Sequence, residues 1–117
     1  MRFIVKNYHS PDVYDLDNYT PDRPECFSFL LEVAVESPDS EGEEIFGIVV
    51  STPTWFLVNN KPEDIVLGRA QIIILEFNWE RLRLFLELWI ETHCVGPTWR
   101  ECADKLNLIG KSEYSKF

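Results

Sequence analysis

Two histidines and three cysteines are the chain's whole stock of imidazole and thiol. Any nucleophilic or metal chemistry would have to be built from them or from paired carboxylates. His93, Cys94 and Cys102 come closest to a ligand set. Short zinc-binding segments hold two ligands at one coordination distance with C-x-x-C or a similar pair, and no such pair occurs here. His93 and Cys94 are neighbours in a segment that reads as helix, so their side chains leave the axis about 100° apart. A partly buried helix-end histidine on the edge of an apolar face, with two core cysteines, fits those residue types better. Hydrolytic and phosphate chemistry find no frame either: there is no G-x-S-x-G, no G-x-x-x-x-G-K and no G-x-G-x-x-G. Carboxylates do occur in pairs, at Asp15/Asp17, Glu43/Glu44 and Glu63/Asp64. Acid–base catalysis needs surroundings that push two such pKa values apart. In loops, bare pairs read as solvated charge or as protein contacts. The reading is therefore a non-enzyme without catalytic residues, metal ligands or cofactors.

What remains is charge and aromatic surface. Twenty acidic residues against 11 basic ones give a net charge of −9 and a pI near 4.6. That field repels nucleic-acid backbones and anionic membranes, and steers a basic protein inward. Two acidic stretches stand out. The first, from His9 to Glu25, carries Asp12, Asp15, Asp17, Asp22 and Glu25 with Tyr14 and Tyr19 interleaved. The second, around a turn, carries Asp39, Glu41, Glu43 and Glu44. Tyrosine and tryptophan beside acids suit the contact surface for a basic partner, and Trp55 is a further candidate anchor. Loop aromatics also tuck beneath loops, and both readings stay open at this stage.

The elements that must carry these residues follow from periodicity. Phe3, Val5 and Asn7 alternate with Ile4 and Lys6 in a short first strand, and the Pro-bearing segment His9 to Glu25 reads as a surface loop. Phe27, Phe29, Leu31, Val33 and Val35 repeat every two residues, with Ser28, Glu32 and Glu36 on the other face. Ser37 to Gly42 is turn chemistry leading to a strand from about Glu44 to Thr52, an antiparallel hairpin. Pro53, Asn59, Asn60 and Pro62 leave Trp55, Phe56 and Leu57 in an irregular apolar patch. Arg69 to Phe77, apolar on both faces, reads as a central fourth strand. Asn78 caps a helix to about His93 with Trp79, Leu82, Phe85, Leu86, Trp89 and Ile90 on its core face. Glu80, Arg83, Glu87 and Glu91 form its wet stripe. Leu84 and Leu88 lie on the flank and call for a partner, with the second helix expected to supply it. Thr98 and Glu101 form a capping box for that second helix, which buries Trp99, Cys102, Ala103 and Leu106 and ends near Asn107. Strands first and helices last give one α+β domain: a mainly antiparallel sheet of about four to five strands, with two C-terminal helices on one face.

The order of these pieces resembles the Immunity protein 8 family. Pro21 precedes Phe27-x-Phe29-x-Leu31-x-Val33. Gly42 and Phe46 lead to Val49-Val50-Ser51-Thr52-Pro53-x-Trp55. Gly68-Arg69 opens Ile72-x-Ile74, which ends in Phe77-Asn78, and Gly96-Pro97-Thr98-Trp99 starts the last helix. The tail, Gly110 to Phe117, departs from the Trp-Glu-aromatic ending of that family. The resemblance implies a small α+β antitoxin of bacterial polymorphic-toxin and contact-dependent inhibition systems. Such a protein binds a cognate toxin domain without catalytic residues. With −9, the partner expected is a basic, nuclease-type toxin. The chain is expected to be cytoplasmic, with reduced thiols, since Met1 to Lys6 enters an apolar alternation and not a signal segment. It is expected to be monomeric before it meets the toxin, with no nucleic-acid or membrane partner. The reading from a different class is a structural or regulatory module that homo-oligomerises or joins a larger assembly, with Leu84 and Leu88 as its interface.

Overall fold

A computed structural model describes residues 1–113. In chain order the elements are β1 (Ile4–His9), a 3₁₀ turn (Leu16–Asn18), β2 (Ser28–Ser37), β3 (Ser40–Ser51), α1 (Pro53–Asn59), β4 (Gln71–Ile73), α2 (Trp79–His93), α3 (Trp99–Leu106) and β5 (Lys111–Ser112). The strands form one five-stranded sheet in the order β1-β2-β3-β4, with β5 also on β3. Its pairs are antiparallel except β3–β4, which is parallel. The α+β class and the sheet with two C-terminal helices are as the residue pattern implies.

The alternation in β2 sets the layers. Phe29, Leu31, Val33 and Val35 are buried, and their β3 counterparts Phe46, Ile48 and Val50 are fully so. Leu82, Leu86 and Ile90 of α2 and Cys102, Ala103 and Leu106 of α3 join the same cluster. Gly110 lets the chain return close over β3. A Cβ there would stand 3.2 Å from Ile48 Cγ1 and 3.3 Å from Phe46 Cβ.

Several local expectations change. β3 starts at Ser40, not near Glu44, because Ser37 pairs with Ser40 and the turn shrinks to Pro38-Asp39. Gly42 lies within that strand at φ +105°, a region only glycine enters freely. The patch around Trp55 is a helix: the Thr52 hydroxyl accepts from Trp55 N at 3.4 Å, and Pro53 takes the first-turn position. Thr52 is itself buried and ties this start to β2, its Oγ1 accepting from Phe27 N at 3.1 Å. β4 is neither central nor long. It is a three-residue edge strand, and Ile73 and Leu75 remain exposed. On α2, Arg83 and Glu87 are half-buried beside Tyr8, whose hydroxyl donates to the Arg83 carbonyl at 3.3 Å. Phe85 is about half exposed, and Leu84 and Leu88 stay in water, since α3 packs elsewhere. Trp99 of α3 sits edge-on to Phe3 at 4.7 Å, near the start of the chain.

Candidate protein-binding surface

The first acidic loop is fastened to the fold at many points. Val13 and Leu16 enter the core. Ser10 Oγ accepts from the amides of Asp12 and Val13 at 3.1 and 3.2 Å. Asp12 Oδ2 accepts from Leu30 N at 2.8 Å, satisfying a strand amide beyond the last β1 pair, His9 with Glu32. Asp15 caps the 3₁₀ turn, taking Asp17 N at 3.2 Å and Asn18 Nδ2 at 2.7 Å. Asp17 Oδ1 takes the indole N–H of Trp79 at 3.0 Å, which pins the loop to the first residue of α2. Tyr19 packs edge-on to Phe77 at 5.1 Å, and Pro24 O accepts from Phe77 N at 2.8 Å. Burial, then the charge of Asp22, raises the Tyr19 phenol pKa, so it stays a neutral donor.

These ties shape a cleft of about 390 Å³ between the loop, the end of β1 and the first turns of α2. Asp15, Asp17, Trp79 and His9 line it, with Tyr14 wholly in water at its mouth. Carboxylates beside aromatic faces suit an incoming Lys or Arg side chain. Arg83, also in the wall, is partly neutralised by Glu87 at 3.4 Å.

The second acidic stretch lies at the other end of the sheet. Seven residues of β2, Leu31 to Ser37, lie between Leu30 and the Pro38-Asp39 turn, roughly 23 Å of strand at ~3.3 Å per residue. Its acids are largely engaged too. Glu43 pairs with Lys6 at 2.7 Å and raises the pKa of that ammonium. Glu44 accepts from the Trp99 indole at 2.5 Å and from Ser112 Oγ at 3.4 Å, so it serves packing of α3 and β5. Asp39 lies 3.8 Å from the N-terminal ammonium. A backbone hydrogen bond, and then the bond to Arg23 at 2.9 Å, lowers the pKa of Glu25. Only Asp22 and Glu41, among the twelve candidates, carry exposed carboxylates without a partner within the described residues.

The structure therefore gathers Asp12, Tyr14, Asp15, Asp17, Tyr19, Asp22 and Glu25 at one sheet end, and separates Asp39, Glu41, Glu43 and Glu44 from them. Trp55 joins the first group, because α1 begins where Thr52 meets Phe27. It is half-buried and edge-on to Phe56 at 5.4 Å. Around it lies surface that the sequence reading missed. α1 buries no residue, every position from 61 to 69 is exposed, and Leu57, Val58, Ile65, Val66 and Leu67 stand in water. The run Ile65-Val66-Leu67 was the available signal. Phe56, Leu57 and Val66 line one open groove there.

The thiols and His93 have plainer settings. His93 is exposed, not partly buried, and stacks on Trp89 at 4.6 Å. Cys94 and Cys102 are fully buried, and burial pushes the Cys94 thiol up to about 12. A raised thiol pKa keeps the unreactive protonated form at neutral pH. One cysteine, the half-buried Cys26, is expected to react quickly with a thiol reagent, and the other two only after denaturant. Three fast equivalents would contradict this packing.

The residues thus build one α+β fold with an anchored acidic loop and exposed apolar side chains. The family profile described as Immunity protein 8 matches residues 3–117, and the chain belongs to that family. Comparison with curated proteins and with solved structures returns no match.

Proposed function

We propose that this immunity protein neutralises a cognate toxin domain by direct contact through the sheet end that carries the first loop and α1. The observation behind the reading is the gathering of Tyr14, Asp15, Asp17 and Trp79 around one cleft, beside the exposed apolar side chains of α1. Acids draw in a basic, nuclease-type domain, and the aromatic and aliphatic side chains hold it. A protein that works by occupying a surface needs no catalytic residue or cofactor. The same charge keeps nucleic acid and anionic lipid away, and no helix among the described residues is long and apolar enough to cross a membrane. The proposed site of action is the cytoplasm, where an incoming toxin would be met. Calorimetric titration against the toxin domain encoded beside the gene tests this. The expected result is nanomolar affinity that weakens as salt rises. Absence of binding at every salt concentration would overturn it.

A further inference from the structure

The two edges of the sheet are treated differently. β1 is interrupted by a bulge between Val5 and Asn7 and carries Lys6, two devices that discourage pairing with another strand. β4 has neither. Its inward groups serve β3, with Ala70 O accepting from Val49 N and Ile74 N donating to Ser51 O. By strand alternation the amide and carbonyl of Ile73 point outward, where the sheet continues no further among the described residues. Beside this edge lies a mainly apolar groove of about 280 Å³, between Ile72 and Ile74 on one side and Leu82 and Phe85 of α2 on the other. Ile73 is 60% exposed, Leu75 79%, Phe85 52% and Leu88 71%.

We propose that a second copy of this chain docks here, joining β4 to β4 antiparallel across a two-fold axis and covering both grooves. Phe85 and Leu88 lie on the groove side of the sheet and Ile73 and Leu75 on the other, so joining β4 to β4 covers exposed apolar side chains on both faces of the continued sheet. Charge points to the same occupant. A chain at −9 repels its copy over most of its surface, yet this groove is bordered by one charge of each sign, Glu76 and Arg81. A two-fold axis can set each opposite its counterpart, whereas a strongly basic partner gains little from a balanced rim. The inference is independent of the toxin reading.

Sedimentation velocity of the whole chain without toxin, from roughly 1 to 200 µM, tests it; the expected result is a reversible dimer of micromolar affinity. Ile73→Lys places two like charges at the axis and is expected to weaken the dimer about 100-fold or more. Phe85→Glu is expected to do the same from the groove wall, while Tyr14→Ala leaves the dimer unchanged. Both disrupting changes fall on exposed side chains, and a thermal melt of each variant reads folding separately. A wild-type chain monomeric at the highest concentration overturns the proposal. So does a dimer indifferent to both changes. A monomer whose toxin binding is lost in Ile73→Lys also overturns it, and assigns the edge to the toxin.

Discussion

Phe46→Ala is expected to lower the stability of the fold by about 3–5 kcal/mol, as large-to-small changes at fully buried aromatic sites do. Phe46 is wholly buried, faces the helices from β3, and is flanked in the sheet by Val33 of β2 and Ser112 of β5. Its surroundings cannot collapse easily into the vacated space. The backbone of Gly110 already lies against its Cβ, and both neighbouring strands are fixed by their ladders. A domain of this size has a total of roughly 5–15 kcal/mol, so the loss is a large share of it. Urea unfolding followed by tryptophan fluorescence measures the change. Ile65→Ala, at a side chain almost wholly in water, is the comparison and should stay within about 0.5 kcal/mol. A Phe46→Ala cost below ~1 kcal/mol would mean that the sheet and helices do not close around this residue.

The other large effect is on toxin binding, and the separation of the two acidic stretches makes it discriminating. Asp22 and Glu41 are both exposed, and neither is held by a partner among the described residues. Changing either to lysine therefore alters net charge equally and the fold little. They lie toward opposite ends of the sheet, Asp22 in the loop before β2 and Glu41 just past the β2–β3 turn. Asp22→Lys is expected to slow association about tenfold at low salt, and Glu41→Lys less than about threefold. Tyr14→Ala, at a side chain wholly in water, should leave stability unchanged yet cost about 2 kcal/mol of affinity, near 30-fold, as a hot-spot aromatic does. Stopped-flow association with titration calorimetry reads both numbers. Equal slowing by the two lysine variants would show that only the overall field matters, and would withdraw the loop end as the contact.

Much of the fold was written in local pattern. The period of two from Phe27 to Val35 named a buried face because successive strand side chains alternate, and every one of those five residues is buried. Asn78 and Thr98 accept from Arg81 N and Glu101 N as their positions before the helices imply. Thr52-Pro53 carried the same kind of signal, and it was outweighed by the breakers after it. Arg69 to Phe77 failed for a different reason. Apolar residues on both faces show that a strand avoids water, but not whether its own fold or another surface provides the cover. Leu84 and Leu88 were recognised as needing a partner, yet the direction in which α3 packs depends on the Gly96-Pro97 connection and on Trp99 finding Phe3 and Glu44. The family's departing tail, beyond Glu113, lies outside the described residues.

By itself the sequence determined the charge, the α+β class, the core face of β2, the Leu82, Leu86 and Ile90 core of α2, and the family signature, because each depends on residue type and near-neighbour spacing. Only the tertiary structure decided which acids share a surface. Asp17 meets Trp79 across 62 positions of chain, while Glu44 is drawn to Trp99 and Asp12 to a strand amide. Those pairings depend on where β1, β2 and α2 end in space. A carboxylate in a loop reads the same in sequence whether it caps a turn, holds an indole or waits for a partner.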